Sequence, residues 1–353
     1  MTLGQTKAEI TYGLKGKGKR MVDEYERAAE EVRRLFEEKA SKLVEEIVAS
    51  VAAEKLDCHE AKEALLYFIS KWRDLVRPSL VSLACEAVGG DPSLAAPIGK
   101  ALSLLSGATD IHDDIIDKTT DKEEGPTILG KFGVDLALMA GDALIFKGFQ
   151  ELVEGLAKLS IPFERKLAIV RVVKELYFEM FDGEALELRF RGRTDVKPEE
   201  YLEVVRKKAA DVEACTRVGA MLGGGSEEQV EAFARYGRLL GMIVLLRNDL
   251  EDLLDFDTRL NQRIKNESLP LPLIYALENK EKRMEILSIL EEEEIKRWDA
   301  KKLFTLVLET GGLDKLWKIL NDFKTQAKTN VIVQKEKEKL QTIIEATCPH
   351  VLP

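Results

Sequence analysis

Carboxylates set inside an apolar run leave a chain few ways to fold, and Asp110-Ile111-His112-Asp113-Asp114-Ile115-Ile116-Asp117 is such a run. Apolar residues from Ala101 to Leu105 precede it, and Ile115-Ile116 lie within it. Read as a helix, it projects Asp113 and Asp117 from one face, one turn apart. Like charges at that spacing repel, so a counter-charge has to come from elsewhere. Mg²⁺ supplies it with one or two carboxylates, several waters and the phosphate oxygens of a substrate. A solvated acidic helix face is the competing reading of this stretch taken alone.

A second stretch changes the balance. Arg247-Asn248-Asp249-Leu250-Glu251-Asp252-Leu253-Leu254-Asp255 places Asn248, Asp249 and Asp252 where they line one helix face. The turns before it (Leu239, Leu240, Met242, Ile243, Leu245, Leu246) are apolar almost all round, which marks a buried helix. Two buried helices that both end in acids predict an apolar cavity with a metal-rimmed mouth. Its ligand has a greasy tail and a phosphate-bearing head. Lys208, within Arg206-Lys207-Lys208, and Lys265 are candidate phosphate cations, although a solvated surface is the ordinary place for a lysine. Gly183-Glu184-Ala185-Leu186-Glu187 adds two acids beside a glycine suited to close helix packing.

The rest of the chain reads as helix. Residues 21–53 carry Val32, Leu35, Phe36, Leu43, Ile47 and Val51 at helical period. Further helices are expected over 57–76, stopped by Arg77-Pro78, and over 78–88, 93–117, 134–159, 162–191, 198–222 and 226–256. The loop 118–133 holds Gly125-Pro126-Thr127. Ser226 and Gln229 form a capping box for the helix that follows. No strand alternation of useful length appears. The expected fold is all-α: one domain over residues 21–353, a bundle of long helices around a central apolar cavity. Residues 1–20, with Lys15, Lys17, Lys19 and Arg20 among glycines, read as a basic arm. A net charge of −10 disfavours a nucleic-acid surface while leaving room for a local phosphate pocket. The apolar run Leu239 to Leu246 is too short to span a bilayer. The scattered Cys58, Cys85, Cys215 and Cys348 fit reduced thiols in a cytoplasmic protein without a signal peptide.

Taken in order, these pieces resemble the trans-isoprenyl diphosphate synthase (polyprenyl synthetase) family over about residues 70–280. His112-Asp113-Asp114-Ile115-Ile116-Asp117 resembles its first aspartate-rich motif, and Asn248-Asp249-Leu250-Glu251-Asp252 its second. Gly125-Pro126-Thr127, Ala140-Gly141-Asp142-Ala143-Leu144, Gly183 to Glu187, Lys208 and Pro272 to Leu277 fall in the family's order. The resemblance implies three Mg²⁺ ions holding an allylic diphosphate between the two motifs. Asp113, Asp117, Asn248, Asp249 and Asp252 are then metal ligands, and Asp114 orients a water or a ligand. Lys208 and Lys265 grip the leaving diphosphate, with His112 bracing a phosphate. Arg77 serves isopentenyl diphosphate, and the protein is usually a homodimer, a heteromer being possible. Small residues at Thr109 and Ala108, by helical direction, drop the tail's floor to Leu105 or Leu104, for a product of about C20 or longer.

Departures from the family's pattern concentrate on the isopentenyl side. Glu123-Glu124 stand before Gly125 where arginines are usual, and Asp74-Leu75 replace a Lys and an Arg before Arg77. Elongation of an allylic diphosphate by isopentenyl diphosphate is the leading reading. A class I terpene cyclase or lyase is the second, although Phe256 stands where such enzymes carry a glutamate. A regulatory subunit without activity is the third; five retained aspartates argue against it.

Overall fold

A computed structural model describes residues 17–122, 125–292 and 295–348. The helices run α1 (Lys17–Ala52), α2 (His59–Lys71), α3 (Val76–Ala87), α4 (Ala96–Ile116), α5 (Ile128–Phe132), α6 (Val134–Lys158), α7 (Phe163–Glu187), α8 (Pro198–Lys208), α9 (Ala210–Leu222) and α10 (Glu227–Leu254). Then come α11 (Arg259–Asn266), α12 (Leu271–Leu277), α13 (Arg283–Leu290), α14 (Arg297–Glu309), α15 (Gly312–Thr329) and α16 (Lys337–Thr347). Strands among the described residues are confined to β1 (Asp121–Lys122) and β2 (Gly125–Pro126), an antiparallel pair. The protein is all-α. Residues 1–16 of the expected arm lie outside the described residues, and Lys17–Arg20 open α1.

Helix α4 carries the first acidic run, and α6 fixes where it lies. Gly141, Gly148 and Gly155 recur every seven residues on α6 and meet α4 at His112, Leu105 and Pro97 respectively. A side chain at Gly148 would place its Cβ 2.7 Å from Leu105 Cγ, so only glycine allows this approach. Helix α10, carrying the second acidic run, packs between α9 and α15, while α9 also lies on α3. Ala101, Leu102, Leu105, Leu152, Val218, Tyr236 and Leu240 join these helices in one buried apolar cluster. Tyr236 is wholly buried, and its hydroxyl donates to the Leu340 carbonyl at 2.9 Å.

The sequence reading differs most from the structure at two helix boundaries, and the loop expected over 118–133 holds the strand pair and α5. Arg77-Pro78 does not stop a helix; it opens α3. The break falls earlier, at Trp72–Leu75, where the Asp74 carboxylate accepts the Val76 and Arg77 N–H groups, both at 3.1 Å. Pro78 then sits in the first turn, where a missing N–H costs nothing. The helix expected over 198–222 is broken at Ala209, against which Gly241 of α10 is pressed. Lys208 therefore ends α8 instead of lying mid-helix. The capping box at Ser226 is present, with Gln229 N–H donating to Ser226 Oγ at 3.2 Å and Ser226 N–H to Gln229 Oε1 at 2.9 Å. No described helix is long and apolar enough to cross a membrane.

Candidate active site

The two acidic runs face each other. Asp110, Asp113, Asp114 and Asp117 of α4 and its C-terminus, and Asn248, Asp249 and Asp252 of α10, line one cavity of about 270 Å³. Lys122, Lys208, Arg259, Arg263, Glu187 and Glu267 complete its charged wall, with Tyr201 beside them. Eight carboxylates meet four cations there.

Three of these carboxylates, Asp114, Asp117 and Asp249, are pushed up by burial. Burial pushes the Asp114 carboxyl up to about 7 against the pull of Lys122, with Asp110 and Asp113 adding repulsion. Asp117 rises to about 7 through burial, Asp113 and Glu267, although Arg191 Nη2 donates to it at 2.9 Å. Asp249, 1% exposed, rises to about 6 through burial. It still accepts bonds from Tyr201 Oη (2.8 Å), Arg263 Nη2 (2.9 Å) and the Leu271 N–H (3.0 Å). Arg263 also reaches Asp252 at 3.2 Å and Glu267 at 3.1 Å, and Arg259 Nε donates to Asp252 at 3.1 Å. The Asp113 carboxylate has no hydrogen-bond or ion-pair partner among the described residues.

Gly183 to Glu187 has two uses. Gly183 lets α7 close on the end of α8, since a Cβ there would lie 2.8 Å from Lys207 Cβ. The two glutamates then take Lys208, whose Nζ is 2.5 Å from Glu187 and 2.9 Å from Glu184. Burial favours neutral Glu187, but Lys208 and Arg263 outweigh it and hold its pKa down at about 2. Glu184, sharing the same lysine and feeling Asp113, is pushed by burial up to about 8.

A second cavity, of about 370 Å³, opens beside the first. Tyr67, Phe68 and Trp72 give it an aromatic wall, and Lys71, Arg73 and Arg77 stand around it. Asp110, Asp114 and Lys122 line both cavities and form the partition. Arg77 is taken up: it donates to Asp211 at 3.1 and 2.7 Å and lies 3.5 Å from Asp74. Glu123 and Glu124 lie outside the described residues.

Several expected site residues sit elsewhere. Lys265 is exposed and lines neither cavity; on α11 the inward row is Arg259 and Arg263, one turn apart. His112 turns to α6, its ring over Gly141 and its Nε2 3.4 Å from Asp142, so it braces nothing in the cavity. Ala108 lies about 140° round the helix from Asp113 and is fully buried in a cluster with Leu104, Ile111 and Leu144. Thr109 folds its hydroxyl onto the Ser106 carbonyl at 2.8 Å, and Leu105 packs under Gly148. None of these three lines either cavity. Conversely, Lys122, Tyr201, Arg191, Arg259 and Arg263 are not among the expected site residues, and Glu187 is expected only as part of the Gly183–Glu187 motif. Of the former, the Arg259/Arg263 pair carries a sequence signal, its helical spacing past Asp252.

The donor set fits a divalent ion whose remaining positions are filled by a ligand. No three metal-binding side chains converge as a ready-made site among the described residues. Mg²⁺ needs only one or two carboxylates when phosphate oxygens complete its shell, and the unbalanced acids call for added positive charge. An all-α fold that sets two acidic helix ends across a cavity, with cations between them, suits an enzyme that acts on a metal-bound phosphate ester.

Comparison with known proteins gives the family. Residues 59–307 match the polyprenyl synthetase family model. A short chain isoprenyl diphosphate synthase of Methanothermobacter thermautotrophicus is 30% identical over 74% of this chain and 79% of its own. A geranylgeranyl diphosphate synthase of Methanosarcina mazei is 34% identical over 55% of this chain and 59% of its own. Among solved structures, a geranylgeranyl pyrophosphate synthetase of Pyrococcus horikoshii superposes with a TM-score of 0.75 at 27% identity, covering 92% of this chain and 97% of that one. The chain belongs to the polyprenyl synthetase family and is an enzyme of the isoprenyl diphosphate synthase class.

Proposed function

We propose that this protein condenses an allylic prenyl diphosphate with isopentenyl diphosphate, giving a prenyl diphosphate of about C20. The observation that carries the reading is the single cavity walled by both acidic runs. Asp113 and Asp117 on one side, and Asp249, Asp252 and Asn248 on the other, would hold Mg²⁺ (three ions by the family resemblance), with Asp114 supporting from behind. Bound there, Mg²⁺ would supply the positive charge that eases departure of a diphosphate leaving group. Lys208 and Arg259 grip that diphosphate from the cavity wall. Glu187 keeps Lys208 charged and aimed, and Tyr201 with Arg263 keeps Asp249 in place. The aromatic second cavity takes isopentenyl diphosphate, whose double bond attacks the allylic carbon as the carbon–oxygen bond breaks and a proton leaves. Arg77, held by Asp211, orders this wall more than it binds phosphate.

The cyclase reading is weaker because Phe256 packs on Phe304, with ring centroids 5.8 Å apart, instead of supplying a further metal ligand. A homodimer is proposed through the outer faces of α6 and α7, where Phe146, Phe178 and Phe181 are each more than two-thirds exposed. A homologous partner would use the same face. No disulfide joins Cys58, Cys85, Cys215 and Cys348, which suits the cytoplasm.

Purified protein with Mg²⁺, labelled isopentenyl diphosphate and geranyl or farnesyl diphosphate should yield a longer diphosphate. Hydrocarbon from the allylic substrate alone, or no turnover, would defeat the assignment.

A further inference from the structure

Arg263 stands between the two aspartates of the α10 wall. Its Nη2 donates to Asp249 Oδ1 at 2.9 Å and its Nη1 to Asp252 Oδ2 at 3.2 Å. The other donors are used as well. Nη1 lies 3.1 Å from Glu267 Oε2, Nη2 donates to Tyr201 Oη at 2.8 Å, and Nε donates to the Ser268 carbonyl at 2.9 Å. A guanidinium has five N–H groups, and these acceptors take all of them. Only 11% of the side chain is exposed. Burial favours its neutral form, but Tyr201, Asp249, Glu267 and Glu187 outweigh burial and keep it charged. The charge can leave only if the side chain does, and α8, α10 and the segment after α11 all hold it.

The α4 wall carries no such cation on its proposed metal ligands. Lys122 is spent on Asp110 and Asp114, which leaves the Asp113 carboxylate unpaired among the described residues. Asp117 is met at Oδ1 by Arg191, itself half-buried, from the turn after α7. On α10, by contrast, all four oxygens of Asp249 and Asp252 accept bonds. Asp249 Oδ2 takes the Leu271 N–H at 3.0 Å, and Asp252 Oδ1 takes Arg259 Nε at 3.1 Å. A divalent ion that approaches these carboxylates meets a fixed positive charge already seated on both, and like charges repel more strongly away from water. A diphosphate offsets that repulsion with several negative charges of its own.

Resting on the proposed function, we propose that Arg263 is a resident cation that makes the two acidic walls load with metal unequally. Asp113 and Asp117 take a divalent ion from solution unaided. Asp249, Asp252 and Asn248, around Arg263, take one only together with a diphosphate. Until then the guanidinium keeps Asp249 and Asp252 from repelling each other, so the α10 wall is ordered before any metal arrives. Arg263 is a positioning residue that acts through its charge, and it ties completion of the site to the presence of substrate.

Equilibrium dialysis counts bound Mn²⁺, a surrogate for Mg²⁺, with and without inorganic pyrophosphate on both sides of the membrane, and needs no turnover. Without pyrophosphate, Asp113→Asn should weaken Mn²⁺ binding about tenfold, a change of about 1.4 kcal/mol, and Asp252→Asn should leave it unchanged. With pyrophosphate, wild type should bind a further ion that Asp252→Asn loses. Arg263→Gln should bind this further ion without pyrophosphate. Arg263→Lys, which keeps the charge, should need pyrophosphate as wild type does. If wild type binds the further ion without pyrophosphate, or Arg263→Gln still requires it, the proposal is overturned. Should Arg263→Gln fail to fold, the Asp252→Asn comparison decides: a loss of pyrophosphate-free binding there overturns the proposal, and unchanged binding supports it. Condensation by an enzyme whose two walls load alike leaves the synthase assignment standing and this inference fallen. Unequal loading without condensation does the reverse.

Discussion

The two cavities share a wall and little else. The first gathers eight carboxylates and four cations, and burial and mutual repulsion drive two of its acids, Asp114 and Asp117, up to about 7. The second sets Lys71, Arg73, Arg77 and Lys122 against Asp74, Asp110 and Asp114, nearly in balance, behind Tyr67, Phe68 and Trp72. One site is incomplete without added cations. The other is internally paired. A buried pair such as Arg77–Asp211 is a structural commitment, because removing one partner strands the other charge away from water. The contrast teaches that the wall around Arg77 is braced, since Asp211 and Asp74 hold its guanidinium in place.

That contrast can be broken by substitution. Arg77→Leu should cost about 3–5 kcal/mol of folding stability by orphaning buried Asp211, measured by denaturant melts. The affinity for isopentenyl diphosphate should change less than threefold; a large affinity loss with little destabilisation would make Arg77 a phosphate ligand after all. Asp113→Asn should do the opposite. With no partner to lose, it should fold normally and lose about a thousandfold in kcat, the several kcal/mol a metal contributes to a charged transition state. A near-normal rate would remove Asp113 from the metal site.

Smaller effects sharpen the boundary between wall and core. Ala108→Phe should overpack the cluster around Leu104 and Ile111 and destabilise by about 1–3 kcal/mol, with product length unchanged on chromatography. A shortened product would return Ala108 to the chain-length floor. Lys265→Ala, at an exposed position outside both cavities, should alter kcat/KM by less than about twofold and stability by less than about 0.5 kcal/mol. A tenfold loss would show that the side chain reaches the diphosphate.

Much of the fold was legible because helical period is a local property. The apolar spacing before Asp113 and Asp249 marked two buried helices, and Ser226-Gln229 marked the start of the second. Boundaries were less secure where one residue has two roles: Pro78 stops a helix from behind but also begins one, and the Asp74 carboxylate decided which. The kink at Ala209 coincides with Gly241 on another helix, so no reading of residues 198–222 alone could find it.

By itself the sequence determined that two apolar helices end in repelling acids, since charge and period are written in the chain. Only the tertiary structure decided which cations those acids meet. Lys122, Arg191 and Arg263 come from a strand, a turn and a short helix whose placement depends on long-range packing. It also decided which way His112, Ala108 and Lys265 face. A few tens of degrees around a helix axis separate a ligand from a core residue, and neighbouring helices, the glycine-lined α6 above all, set that angle.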